Sequence, residues 1–386
     1  MKELKKFQIC IITEHFEEGR GGYIFKKNLI SVLSYLSHER SNSKINIIAP
    51  HIKIYSSFFL FRIIRVIIIE LITCYLIFKL GKKNYFIFFT MGPAHFLPIF
   101  ISKILGHKVI YVISGLAGKD ENFKIMKIIY RNTCFSLGKV IIPLLISNFE
   151  ELNYKLSDVL VVESPNLSRQ LNIKSSCDLI IFNGALHVDI KKFFPEIQFS
   201  KRGNIIGYFG AFTEFKGINN LIEAIPKIFI HNPSIQFLFC GDGPEIQKIE
   251  DCMKHYNLDN DIRIFLVKKL SHEKIHEFLN KVKLIVLPSY GEGLPNIVLE
   301  SMSCATPVLA TPVGGIPDII IDSETGYIMD NNTPECIVKN ICRSLNDPNL
   351  ETISKNARTY IENGYSIEKS IERYRKIIEH ISLYED

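Results

Sequence analysis

Short apolar runs, each followed by a turn and a segment with helical spacing of its apolar positions, recur along the chain: FQICIIT, KINIIAP, YFIFFT, KVIYVIS, DVLVVES and LIIFNG. After residue 200 the series restarts with NIIGYFG, IQFLFCG, DIRIFLV, VKLIVLPS and TPVLATP. Between these lie the amphipathic stretches GINNLIEAIPKIFIHN, PEIQKIEDCMKHYNL and SHEKIHEFLNKV. A strand buried on both faces has no polar side, so near-continuous apolar runs alternating with amphipathic helices predict parallel sheets covered by helices on each face. Two such series predict an α/β protein of two doubly wound, Rossmann-like domains. The periodicity lapses around residues 191–204, where Pro195, Gly203 and a run of charge intervene. The predicted domains are therefore 1–198 and 199–364, followed by a terminal segment, 365–386. In such sheets a ligand binds beyond the carboxyl ends of the strands, and two facing domains would offer it a cleft.

Residues 56–80, SSFFLFRIIRVIIIELITCYLIFKL, disturb this regular pattern because they are hydrophobic nearly all round. Arg62, Arg65 and Glu70 interrupt the run, leaving uncharged stretches well short of the roughly 18 residues that a membrane span needs. The expectation is a helix that is buried or lies on a membrane surface.

Composition narrows the class. The chain has 386 residues and 47% hydrophobic content, enough for a large core divided between two or three domains. Nine cysteines, odd in number and without a C-x-x-C pair, fit reduced thiols in a cytosolic setting better than disulfides or a zinc site. The N-terminal basic residues precede an apolar run of only about seven residues, without a small-residue cleavage site, which reads as a first strand and not a signal peptide. The net charge is +6, but residues 1–83 hold fourteen Lys/Arg against six Glu, so the basic charge is concentrated in the first half. That half interleaves its charges with aliphatic residues and lacks a stacking surface, which argues against nucleic-acid binding. The His and Cys are not at ligand spacing, so no metal is expected.

Candidate chemistry concentrates after residue 200. In YFGAFTEFKGINNLIEAI a strand ends near Gly210, and Lys216 with Gly217 opens an amphipathic helix, bringing an ammonium and free helix-start N–H groups to one place, an anion site. FLFCGDGPE ends another strand in Gly241, Asp242, Gly243 and Pro244, glycines that would let the backbone approach a flat ligand. SYGEGLPNIVLESMSCATPVLATPVGGIPDII then places Glu292 in a Gly-flanked loop and Glu300 at the expected start of a helix. The N–H groups around Gly293, Leu294, Asn296 and Ile297 could face the same ligand, Pro295 having no N–H to give. That ligand would carry hydroxyls and a phosphate.

These marks, Lys216-Gly217, Gly241 to Pro244, the E-x7-E pair Glu292 and Glu300, and the TPVGGIPDII…ETGYIM tail, resemble glycosyltransferase family 4, the group 1 retaining glycosyltransferases of GT-B fold. The resemblance is specific from Gly210 to Tyr327. It is looser in the first half, through Gly21 and Gly22 after the first strand, DVLVVESP and FNGALHVDIKKFFP. It implies two Rossmann-like domains facing a cleft, the first for the acceptor and the second for a nucleotide-diphosphate sugar, with a terminal helix crossing back to the first. It implies that Glu300 accepts both ribose hydroxyls, that Glu292 contacts the donor sugar near the developing oxocarbenium charge, and that Lys216 neutralises the departing diphosphate. Retention without a nucleophile implies front-face chemistry in which a phosphate oxygen takes the acceptor proton. Neither a cofactor nor a metal is implied beyond the sugar nucleotide itself.

Two positions depart from the family's habit. Ala211 stands where an Arg commonly precedes the Lys, and Ser114 stands where many relatives have His. Arg20, beside Gly21, is a candidate for the missing positive charge. Among the spare imidazoles His15, His95, His107 and His187, His95 is the best candidate because it follows a strand. The resulting expectation is transfer of a sugar to a glycan or lipid-linked acceptor in cell-surface polysaccharide or glycoconjugate synthesis, in the cytosol, with peripheral contact to an anionic membrane. A nucleotide-sugar epimerase and a catalytically silent sugar-nucleotide-binding subunit are the alternatives.

Overall fold

The computed structural model describes residues 8–13, 21–39, 44–49, 59–80, 84–90, 95–113, 149–173, 179–268, 270 and 273–382, without the side chains of 21–22, 59–66 and 90. Contacts divide the chain into two units, residues 1–186 with 370–386, and residues 187–369.

In the first unit β1 (Gln8–Thr13), α1 (Gly21–Glu39), β2 (Lys44–Ile48), α2 (Phe59–Lys79), β3 (Tyr85–Thr90), α3 (Phe96–Ile104) and β4 (Lys108–Ile113) follow one another. Then come β5 (Val159–Val162), α4 (Pro165–Gln170) and β6 (Leu179–Phe182). All strand pairs are parallel and the sheet order is β2-β1-β3-β4-β5-β6. Period-two alternation supplies both faces of the sheet. Phe86 and Phe88 join the core that includes Ile77 of α2 and Ile99 of α3, whereas Phe89 stacks on Phe25 of α1, with ring centroids 4.6 Å apart. Each such side chain contributes about 1.5–3 kcal/mol on burial, which explains why the strands carry no polar side.

The second unit contains β7 (Ile205–Phe209), α5 (Ile218–His231), β8 (Gln236–Cys240), α6 (Ile246–His255), β9 (Ile264–Val267) and α7 (Ile275–Lys281). These are followed by β10 (Leu284–Leu287), α8 (Asn296–Ser303), β11 (Val308–Ala310), β12 (Tyr327–Ile328), α9 (Pro334–Leu345) and α10 (Leu350–Gly364). Its parallel sheet runs β12-β11-β10-β7-β8-β9. β7 thus pairs on one side with the strand that follows it and on the other with β10. The chain reverses its direction of travel across the sheet between β7 and β10, which sets the loops leaving those two strands side by side. A site at this point of a doubly wound sheet needs no special carving.

The eleven strands expected from the apolar runs are present, and two doubly wound α/β units are the observed architecture. β12 was not expected; two residues long, it has no periodicity to read. The division at residues 186 and 187 lies earlier than the expected 198/199. The Val188 N–H donates to the Tyr365 carbonyl at 2.9 Å, and the Arg358 guanidinium donates to Phe193 O at 2.6 Å and Ile190 O at 3.2 Å, so the segment after Leu186 is fastened to the second unit. α11 (Ile367–Ser382) contributes to the first unit from Ser370 on, later than the expected 365. There Arg373 donates to Leu186 O at 2.8 Å, and Arg375 lies 2.9 Å from the Glu39 carboxylate.

Arg202 shows how a charge is accommodated without a carboxylate. It is buried and donates to Cys304 O at 2.7 Å, Thr306 Oγ1 at 2.5 Å and Ala305 O at 3.3 Å, which ties the entry to β7 to the α8–β11 connection. Burial pushes its guanidinium down to about 10. The described cysteines are free thiols.

Candidate active site

Lys216 follows β7 and Glu292 follows β10, and the reversal point brings them together. The Lys216 Nζ lies 2.6 Å from both oxygens of the Glu292 carboxylate. Ser289 Oγ donates to Glu292 Oε1 at 2.7 Å, and Thr311 Oγ1 donates to the Ser289 carbonyl at 2.6 Å. Glu292 is buried at 7% exposure, while the Lys216 side chain keeps 28%. The carboxylate is therefore a desolvated charge matched by a half-buried cation, an arrangement in which removing either partner is costly.

Local sequence explains how three loops come this close. Gly217 has φ of +65°, and a Cβ there would sit 1.9 Å from Pro288 O. Gly314 has φ of +57°, and its Cβ would sit 2.0 Å from Glu292 O. Both positions need glycine for backbone angle and for space. The Tyr290 N–H donates to Phe215 O at 2.9 Å and the Gly315 N–H to Gly293 O at 2.7 Å, so the loops after β7, β10 and β11 are locked by main-chain bonds. Tyr208, buried beneath, donates its hydroxyl to Ala211 O at 3.1 Å. Burial, and then the Glu292 carboxylate, hold that phenol far above its usual range, so it remains a donor.

α8 starts at Asn296, with Pro295 as the capping residue. Glu300 is accordingly one turn inside the helix, buried, and not at its start as expected. The first-turn N–H groups of Asn296 and Ile297 precede the reach of i−4 bonding and open at the helix N-terminus. Gly293 and Leu294 lie in the loop before it. Lys216 itself ends a short 3-10 turn (Glu214–Lys216), and α5 begins after Gly217.

Gly241 and Gly243 make a close approach that the sequence did not reveal. A Cβ at Gly241 would sit 1.9 Å from Gly210 O, and one at Gly243 2.4 Å from Phe212 O. Their close approach is to the loop after β7, which they buttress through the Phe212 N–H bond to Asp242 O at 2.9 Å and the Glu245 N–H bond to Phe212 O at 3.0 Å. Pro244 is exposed beside them.

In the first unit the corresponding reversal lies between β1 and β3. Gly21 and Gly22 form the start of α1. Arg20 and Ser114 lie outside the described residues, as does His15. His95 is buried, in the left-handed conformation at the start of α3; its N–H is bonded to Glu70, its Nδ1 lies 3.3 Å from Glu70 Oε1, and its ring lies against Phe88. The structure thus places it at the entry to α3, after β3. Ser289, Thr311 and Gly314 were not singled out from sequence. Ser289 stands three residues before Glu292 in PSYGEG and Gly314 opens the Gly-Gly turn, but only the contacts reveal their roles. Among the described residues no group of three or more His, Cys, Asp or Glu could hold a metal ion.

The two doubly wound units are shared with solved GT-B glycosyltransferases. The Anabaena protein HepE, solved in complex with UDP, aligns with a TM-score of 0.69 over 97% of this chain and 100% of its own, at 13% identity. Residues 189–366, nearly all of the second unit, match the family model described as glycosyl transferases group 1. Among curated relatives, a protein of Methanocaldococcus jannaschii named an uncharacterized glycosyltransferase is 31% identical over 230 residues, covering 58% of this chain and 60% of the relative. The capsular polysaccharide biosynthesis glycosyltransferase CapM of Staphylococcus aureus is 30% identical over 163 residues, 42% of each chain. The chain thus spans less than two thirds of the length of these relatives.

Proposed function

We propose that the protein is a retaining glycosyltransferase that binds a nucleoside-diphosphate sugar on its second unit and transfers the sugar to a glycan or lipid-linked acceptor. The observation that carries this reading is the meeting of Lys216 and Glu292 at the β7/β10 reversal. The group 1 match over the same unit and a relative named for capsular polysaccharide synthesis support it.

On this reading the Glu300 carboxylate accepts two hydrogen bonds from a ribose diol, and the first-turn N–H groups of α8 face phosphate oxygens. Lys216 exchanges part of its contact with Glu292 for the diphosphate. Its charge then stabilises the leaving group as the bond between the anomeric carbon and the phosphate oxygen breaks. Glu292, relieved of that share, accepts from donor-sugar hydroxyls near the positive charge that develops on the ring. The acceptor oxygen bonds to the anomeric carbon on the face the diphosphate leaves, and a phosphate oxygen takes the acceptor proton.

Incubating purified protein with a panel of labelled nucleoside-diphosphate sugars and following donor binding and slow donor hydrolysis tests this. Glu300→Gln should weaken binding by the loss of a charge-assisted bond, about 1.5–3 kcal/mol, whereas Glu292→Gln should reduce turnover more than binding. Binding without hydrolysis would point to a silent subunit, and an epimerised sugar to an epimerase. Absence of binding to every donor would overturn the reading.

A further inference from the structure

From Ile67 on, one side of α2 is buried and the other is apolar and exposed. Thr73, Cys74 and Ile77 face the core, while Ile67, Leu71, Tyr75 and Phe78 are exposed, Tyr75 at 64% and Phe78 at 71%. The spacing of these four along the helix makes them one stripe. α3 packs on α2 and presents Phe100 and Ile104, the latter 67% exposed. Glu70 joins the two helices: its carboxylate accepts the His95 N–H and, at 3.2 Å, the Leu97 N–H at the entry to α3. An isolated exposed apolar residue means little, but two packed helices that both turn aliphatic and aromatic side chains outward mark an interaction surface.

Charge decides the occupant. The sequence of the first unit holds 27 Lys/Arg against 17 Asp/Glu, and that of the second 19 against 23. A second copy meeting this face would bring two strongly basic units together, which repel. An anionic bilayer offers both an apolar interior for the stripe and a negative surface for the surrounding cations, among them Lys79 at the end of the stripe. No helix among the described residues is long and apolar enough to cross a membrane. Arg62 and Arg65, noted in sequence within the same helix, have side chains outside the described residues.

We propose that the exposed faces of α2 and α3 dock the first unit on an anionic lipid bilayer. This goes beyond the transferase reading and does not depend on it. The full chain should co-sediment with vesicles of phosphatidylcholine containing phosphatidylglycerol and not with phosphatidylcholine alone, and it should be released as salt is raised. The triple variant Leu71→Gln, Tyr75→Gln, Phe78→Gln should bind about tenfold more weakly, with an unchanged thermal melt because these side chains are exposed. Lys79→Glu should weaken binding by a smaller factor without touching the apolar face. Hydrolysis of a soluble donor should be the same in the triple variant as in the parent, which separates failure of docking from failure of the catalytic reading. Absence of binding to the anionic vesicles at low salt, or binding that the triple variant retains, would overturn the proposal. So would a solution dimer, seen by analytical ultracentrifugation, that the triple variant dissociates, since the occupant would then be a second copy.

Discussion

Replacing Lys216 by Met keeps most of the aliphatic stem and removes the ammonium, stranding the Glu292 carboxylate at 7% exposure. Breaking a fully buried ion pair costs about 3–5 kcal/mol, mostly through the charge left without a partner. Here the cation is 28% exposed and water reaches it, and the Ser289 hydroxyl still serves one carboxylate oxygen. The expected loss is therefore smaller, about 2 kcal/mol. Glu292→Gln in the same chain neutralises the stranded group and should return at least half of that loss. Two units need not unfold together, so a single global transition is a poor measure. Hydrogen-exchange mass spectrometry of peptides from 205–231 and 284–303 reads local opening instead. The four proteins of the double-mutant cycle give the coupling energy, expected at about 1 kcal/mol or more. Strictly additive effects would refute the pairing. On the proposed function, Lys216→Met should also lower turnover by about a hundredfold, and turnover unchanged by the substitution would remove the leaving-group role.

Gly314→Ala should misplace Glu292 without contacting any ligand, because its Cβ would lie 2.0 Å from Glu292 O and the loop must yield by about 1 Å, enough to cost about a hundredfold in turnover. Gly364→Ala, where nothing lies within 4 Å of the added carbon, is the matched control and should be neutral in the same rate assay. His107 is buried, and its Nδ1 accepts the Asn84 N–H at 3.2 Å. Burial lowers its imidazole below the ordinary 6.5, so the folded state favours the neutral ring. The associated stability is present above about pH 6.5 and is lost as pH falls through the lower folded value. Melting curves between pH 7.5 and 5 should show a decline that His107→Gln flattens, and an unchanged slope would refute it.

The strands and their division into two series were legible because a parallel strand buried on both faces must be apolar along its whole length, a property each segment carries alone. The helical stretches between them were legible for the matching reason, since each turns one apolar stripe inward. Glu292, Glu300 and Lys216 could be nominated from their setting among glycines and strand ends. What sequence could not supply was adjacency. Lys216 and Glu292 are far apart along the chain, and they meet because β7 pairs with β10 and not with β9, a sheet order that no single segment encodes. The same limitation applies to Gly241 and Gly243. Their lack of a side chain was visible, but whether the space is filled by a ligand or by the carbonyls of Gly210 and Phe212 depends on where the neighbouring loop runs. α2 shows the complementary case. Its composition left a buried helix and a surface helix equally open, and only the packing of Thr73, Cys74 and Ile77 inward exposes an apolar stripe on the other side. Composition and periodicity are local and survive in the sequence, whereas the partner across a loop is fixed by topology and exists only once the sheet has formed.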